Sequence, residues 1–99
     1  MNDTIEIVKF KLRNGSNKAH FLAANAKVNE WVYQQPGFIM RQLCHMEDEV
    51  WLDLVHWQSE EEAARAMLNF RLEMGDSEFL RMIAPSSIQM SQGQLHIVV

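Results

Sequence analysis

Four stretches of the chain alternate between apolar and polar positions with the two-residue period of a pleated strand. In the third of these, Trp51, Asp53 and Val55 alternate with residues that point to the other side. The last stretch is irregular, because its apolar residues switch from even to odd positions near Gly93, which predicts a bulge or a bend there. The predicted strands are residues 4–13, 38–46, 50–57 and 87–99.

Two longer stretches carry apolar residues at spacings of three and four, which is the pattern of one helix face. The second helix follows the third strand directly. Ser59 stands at this junction as a predicted N-cap, and Glu62 three residues later completes a capping-box pattern. The predicted helices are residues 18–34, 59–74 and a short one at 77–83.

The predicted order is strand, helix, strand, strand, helix, short helix, strand. This is the split βαβ pattern of the ferredoxin-like α+β folds. The chain has 99 residues, which is the size of one domain, and we assign residues 1–99 to it.

The second and third strands are adjacent and predict a hairpin. An even-length loop at Glu47-Asp48 would pair Arg41 with Leu54, Gln42 with Asp53 and Phe38 with Trp57. Gln42, Phe38, Asp53 and Trp57 would then share one face, with Arg41 and His56 on the other. Both faces are largely apolar, and one layer of helices covers only one of them. We therefore expect a second sheet from another subunit, which makes the protein a homodimer.

Composition and charge exclude several classes of partner. The formal net charge is −4 and the basic residues are scattered, which argues against a nucleic-acid-binding surface. The longest unbroken apolar run is four residues, Phe21 to Ala24, so no membrane-spanning segment is expected. Cys44 is the single cysteine, so we expect neither a disulfide framework nor a thiol metal cluster, and a cytoplasmic location.

Two carboxylates, Glu6 and Asp53, lie in the middle of predicted strands among apolar neighbours. Burial would raise their pKa and would suit either to act as a general base. The alternative for these carboxylates is a structural hydrogen bond or a salt bridge across the dimer, for example with Arg41 or Lys9. No histidine pair has metal-ligand spacing, and no phosphate loop or dinucleotide fingerprint occurs, so neither a metal nor a cofactor is expected.

A family resemblance rests on two features, the Pro36-Gly37-Phe38 turn and the segment WLDLVHWQSEEEAARAM, which contains the Trp57-x-Ser59 junction. In these features and in its element order, the chain resembles the dimeric α+β-barrel superfamily, in the branch with antibiotic biosynthesis monooxygenase domains. The resemblance implies two subunits whose sheets pack face to face. It also implies a cavity between the sheet and the helices of each subunit.

The chain departs from this resemblance on its second helix. Relatives that oxidise quinols or degrade haem usually carry a histidine there, whereas residues 59–74 contain none. Ala66 and Met67 occupy the corresponding positions. Haem ligation from this helix is therefore not expected.

Three functions follow as hypotheses, of which the third, a haem-handling protein, is disfavoured because residues 59–74 contain no histidine. The first is a cofactor-independent monooxygenase that acts on a small aromatic or quinol-like compound in a helix–sheet pocket, with Asp53 or His56 as the base. The second is a non-catalytic module that binds a small molecule. The residues that we expect to contact the ligand are Trp57, Phe38, Gln42, Glu6 and Arg41.

Overall fold

The computed structural model describes residues 3–99, and it confirms the ferredoxin-like α+β fold. The elements follow in the predicted order, with a short 3-10 turn at Pro85–Ser87 before the last strand. They are β1 (Thr4–Lys11), α1 (Lys18–Tyr33), β2 (Phe38–His45), β3 (Val50–Trp57), α2 (Glu60–Met74), α3 (Glu78–Arg81) and β4 (Gln89–Gln94). None of these helices is long and apolar enough to span a bilayer.

The four strands form one antiparallel sheet in the order β2-β3-β1-β4. The three helices bury their apolar residues against one face of this sheet, where β1 and β3 contribute large side chains. At one end of this face, Phe10 of β1 and Trp51 of β3 pack with Phe21 of α1 and Phe79 of α3. The rings of Phe21 and Phe79 stack with centroids 4.7 Å apart. This aromatic cluster fixes α1 and α3 over the sheet.

The predicted N-cap forms at the junction between β3 and α2, and Glu62 reaches back to the side chain of Ser59. Ser59 is the N-cap, and its Oγ accepts a hydrogen bond from the backbone N–H of Glu62 at 3.2 Å. The same hydroxyl donates to Glu62 Oε1 at 3.1 Å. Strand β3 ends at Trp57 and the capped helix begins at Glu60. This short connection places Ala63 and Ala66 in the buried cluster with Trp57.

The register of the hairpin differs from the prediction. Its loop has three residues, Glu47 to Glu49, and is closed by a hydrogen bond from the N–H of Met46 to the carbonyl of Val50. Because the loop is odd in length, Arg41 lies opposite Val55 and shares a face with Asp53. The predicted pairings of Arg41 with Leu54 and of Gln42 with Asp53 are therefore wrong.

A bulge at Ile39 restores the pairing of Phe38 with Trp57, as predicted. The bulge predicted near Gly93 is not found, because Gly93 pairs regularly with Ile5. Instead β4 ends at Gln94 and the chain leaves the sheet, with Ile97 and the two final valines exposed.

The second face of the sheet carries Ile5, Ile7, Leu52 and Leu54, together with the exposed side chain of Met40. The buried residues of the helices all pack against the other face. Within residues 3–99, the chain thus leaves an apolar sheet face without a helix layer.

We predict that Gly37→Ala destabilises the fold more than Gly15→Ala. Both glycines have φ of +82°, which costs an alanine about 1–2 kcal/mol. A methyl group at Gly37 would also force the flexible carboxylate end of Glu62 to move and give up its hydrogen bond with Ser59 Oγ, whereas nothing lies within 4 Å of one at Gly15. Urea unfolding of both variants measures the difference in their free energies of unfolding. Combining Glu62→Ala with each glycine substitution should reduce this difference. Equal losses in the two alanine variants would contradict this reading of the turn.

Candidate functional site

A cavity of about 410 Å³ lies between the sheet and the helices. This volume falls in the range of small-molecule sites. Its wall is mainly aliphatic and aromatic, with residues from all four strands and all three helices. Apart from tryptophan N–H groups, its polar side chains are those of Glu6, Arg41, Asp53 and Arg71.

Arg41 of β2 and Asp53 of β3 form an ion pair across the hairpin, inside the cavity wall. Arg41 Nε donates to Asp53 Oδ1 at 3.0 Å, and Nη2 donates to Oδ2 at 2.7 Å. The third nitrogen, Nη1, donates to Oδ1 of Asn25 at 2.5 Å and to Oδ1 of Asn29 at 3.0 Å. The side chains of Arg41 and Asp53 are only 5% and 13% exposed. Four of the five guanidinium hydrogens are thus engaged within the chain.

This ion pair changes the role of Asp53. A salt bridge with Arg41 was the structural alternative for Asp53, and it forms within one subunit because the odd-length loop places both side chains on the same face. Both carboxylate oxygens of Asp53 are occupied by Arg41. Asp53 is therefore held in the wall of the cavity as the partner of Arg41, and its role as a base stays a prediction.

Among residues 3–99, Glu6 is the carboxylate of the cavity that has no arginine partner. It lies in β1 opposite Val55 and lines the same cavity. Burial raises the pKa of Glu6 from 4.5 to about 7, and the negative charge of Asp53 contributes to the rise. The nearby indole N–H of Trp57 opposes the rise in this pKa. Glu6 therefore titrates near neutral pH.

Trp57 carries an unused donor in the wall of the cavity. Its side chain is buried, and Nε1 has no hydrogen-bond acceptor at ordinary geometry among the described residues. The N–H favours the charged form of Glu6 without completing a hydrogen bond to it. An unpaired buried donor costs about 1–3 kcal/mol, which an acceptor on a ligand would offset.

The residues predicted from the sequence divide between the two faces of the sheet. Four of them, Glu6, Arg41, Asp53 and Trp57, line the cavity. Phe38 contacts Trp57 with ring centroids 5.9 Å apart but lies behind it.

Gln42 and His56 lie on the opposite face of the sheet. Gln42 pairs with Leu54, since the odd-length loop shifts β2 by one residue, and the prediction that it faces the ligand beside Asp53 is wrong in this register. His56 alternates with Val55 and Trp57 along β3 and so points away from the cavity.

Three functional residues escaped prediction. Asn25 and Asn29 are spaced four apart on α1, so they share a helix face and can both reach one guanidinium. That spacing is visible in the sequence, but it has meaning only once Arg41 is known to point toward α1. Arg71 at the end of α2 also lines the cavity.

Within residues 3–99, no three histidine, cysteine, aspartate or glutamate side chains converge as metal ligands would. Ala66 and Met67 of α2 both line the cavity. The positions where the resemblance expects a histidine therefore present apolar side chains to any ligand.

No family model and no curated protein matches the sequence. Solved structures do match the fold. SnoaB, a cofactor-independent oxygenase from Streptomyces nogalater, superposes with a TM-score of 0.69 at 16% identity, over 100% of this chain and 96% of SnoaB. A Bordetella bronchiseptica protein, proposed to be an antibiotic biosynthesis monooxygenase, gives 0.74 at 17% identity, over 98% and 100%.

A haem-degrading protein from Mycobacterium tuberculosis also matches, with a TM-score of 0.66 at 17% identity, over 99% of this chain and 96% of that one. The chain therefore has the fold of the antibiotic biosynthesis monooxygenase-like proteins, which confirms the resemblance at the level of structure.

We predict that Glu6 makes the stability of the fold fall between pH 4.5 and about 7. In this window the unfolded chain releases the proton while the folded chain keeps it, so each pH unit lowers the free energy of unfolding by up to about 1.4 kcal/mol. Glu6→Gln removes this slope, whereas Glu61→Gln on the exposed surface of α2 keeps it. Urea unfolding at pH 5 and pH 8 measures the slope. If the free energy of unfolding of Glu6→Gln falls with pH as steeply as that of the wild type, the assignment of the raised pKa to Glu6 is wrong.

Proposed function

We propose that the protein is a cofactor-independent monooxygenase that acts on a hydroxylated aromatic, quinol-like compound in the helix–sheet cavity. The observation that carries this proposal is the pair formed by Glu6 and Trp57. In a mainly apolar cavity they offer one group that accepts a proton near pH 7 and one unpaired N–H donor. A phenolic hydroxyl suits both, since its oxygen accepts from the indole and its proton goes to the carboxylate.

The apolar wall holds the ring system. Met67 and Phe70 of α2 and Trp31 of α1 supply flat and adaptable surfaces around the cavity. Arg41 and Asp53 are bound to each other, and Glu6, whose pKa is raised to about 7 by burial and by the charge of Asp53, is the group that titrates beside the ligand.

In the proposed reaction, the substrate's hydroxyl proton passes to Glu6 and leaves an aryloxide, whose electrons are shared with a ring carbon that lies ortho or para to the oxygen and carries a hydrogen. Addition of O₂ at this carbon forms a C–O bond and a peroxide anion, which takes the proton back from Glu6. Loss of the proton on that carbon then cleaves the O–O bond. One oxygen atom stays in the product as a quinone carbonyl, and the other leaves as water.

The solved structures with this fold support an oxygenase over other activities, because SnoaB is a cofactor-independent oxygenase. The second candidate is a non-catalytic module that binds the same class of compound. It would use Trp57 and the apolar wall in the same way, without transfer of the proton to Glu6. A cytoplasmic location stays a prediction.

We also propose that the protein is a homodimer. The sheet face with Ile5, Ile7, Leu52 and Leu54 has no helix layer, and a second sheet placed face to face would bury it. Gln42 and His56 would then lie at the subunit interface instead of at the ligand.

We predict that Glu6→Gln lowers oxygen consumption at least 100-fold, because the base is lost. Wild-type rates should rise with pH around a midpoint near 7. An oxygen electrode with 1-naphthol, 2-naphthol and hydroquinone, corrected for the rate without protein, measures this. Glu61→Gln is the control and should keep the wild-type rate. Binding of these compounds without oxygen uptake in the wild type would favour the binding module.

We predict that the dimer protects Cys44. This residue lies on β2 at the uncovered face and is exposed in the single chain. Sedimentation should give a dimer at micromolar concentration, and a thiol reagent should modify Cys44 slowly in the native protein and fast in urea. A monomer whose Cys44 reacts at once would contradict the dimer.

A further inference from the structure

Arg71 is a second cation at the cavity, and it differs from Arg41 in having no partner. Among residues 3–99, no carboxylate lies within 4 Å of its guanidinium. Arg65, six residues earlier on α2, pairs instead with Glu61 at 3.3 Å. Arg71 can therefore take an anion without breaking an existing ion pair.

The exposed residues of the lining mark the mouth of the cavity. Three lining residues are exposed: Arg71 on α2, Ile88 before β4 (38% exposed) and Met90 on β4 (47% exposed). Trp57 and Val55, by contrast, are buried at its inner wall. The inner wall of the cavity thus holds the Arg41–Asp53 ion pair, the carboxyl group of Glu6 and the unpaired N–H of Trp57. Arg71 lies at the mouth.

We propose that the ligand is a hydroxylated aromatic acid, which enters with its hydroxyl group first and leaves its carboxylate at Arg71. This inference rests on the proposed function, since it uses the same hydroxyl-binding end formed by Glu6 and Trp57. It adds the second functional group and the direction in which the ligand lies.

The reverse orientation is unfavourable. A carboxylate at the inner end would lie beside Glu6 and Asp53, and the guanidinium of Arg41 is already occupied by Asp53, Asn25 and Asn29. It would lose its hydration without gaining a cation, which is costly in an apolar cavity. At the mouth, the carboxylate keeps part of its hydration and contacts Arg71.

Three naphthalene probes separate the two ends. 2-Naphthol carries only the hydroxyl, and 6-hydroxy-2-naphthoate carries the hydroxyl and the carboxylate at opposite ends of the rings. 3-Hydroxy-2-naphthoate carries them side by side, so it cannot place one inside and one at the mouth. Dissociation constants from calorimetry at low salt and pH 6.5 compare all three.

We expect 6-hydroxy-2-naphthoate to bind about fivefold more tightly than 2-naphthol, as befits an exposed ion pair. 3-Hydroxy-2-naphthoate should bind more weakly than both. Arg71→Met should abolish the fivefold preference, so that the two ligands bind equally, and the matched control Arg65→Met should keep the preference. Thermal unfolding of both variants verifies that they are folded.

Other outcomes overturn the inference. Equal binding of 2-naphthol and 6-hydroxy-2-naphthoate, or a preference that survives Arg71→Met, would remove the carboxylate from Arg71 and leave the proposed function intact. If none of the three probes binds the wild type, the hydroxyaromatic ligand itself is wrong, and the proposed function falls with it.

Discussion

The bidentate pair of Arg41 and Asp53 is the interaction on which the cavity depends. It joins β2 to β3, and through Asn25 and Asn29 it joins both strands to α1. A pair this deeply buried is tolerable because nearly every donor and acceptor is used. Loss of either partner would leave an uncompensated charge in the wall, at a cost of about 3–5 kcal/mol. The same pair influences the electrostatics of the site, since burial and the negative charge of Asp53 together raise the pKa of Glu6 to about 7.

The elements of the fold were predictable because local signals agree with one another. Ser59 is an N-cap in the sequence and in the structure, and the alternation along β3 places Trp51, Val55 and Trp57 on the buried face. The register of the hairpin was not predictable in the same way. Asp48 and Glu49 both adopt positive φ, of 59° and 63°, which is uncommon for residues other than glycine and is not evident from their identities. The loop therefore has one more residue than its sequence suggests.

The residues of the candidate site also divide into those that local sequence predicts and those that depend on strand pairing or tertiary structure. Glu6 and Trp57 were found because their faces depend only on alternation within one strand. Gln42 was misplaced, and Arg41 was set on the wrong face, because both depend on the pairing of two strands. Asn25, Asn29 and Arg71 have ordinary positions on helix surfaces, and only the tertiary arrangement gives them a role. The alternation along single strands thus identified Glu6 and Trp57, whereas only the tertiary structure identified Asn25, Asn29 and Arg71.

The three-residue hairpin loop has an evolutionary consequence. It lies in solvent, away from the cavity, and loops of this kind gain and lose residues more readily than strands do. Loss of one residue from Glu47–Glu49 would turn β2 over, which would replace the guanidinium of Arg41 in the cavity wall with the amide of Gln42. The buried charge of Asp53 would lose its partner in the same step. A single deletion on the surface would thus change which side chains line the cavity, with no substitution at any lining position.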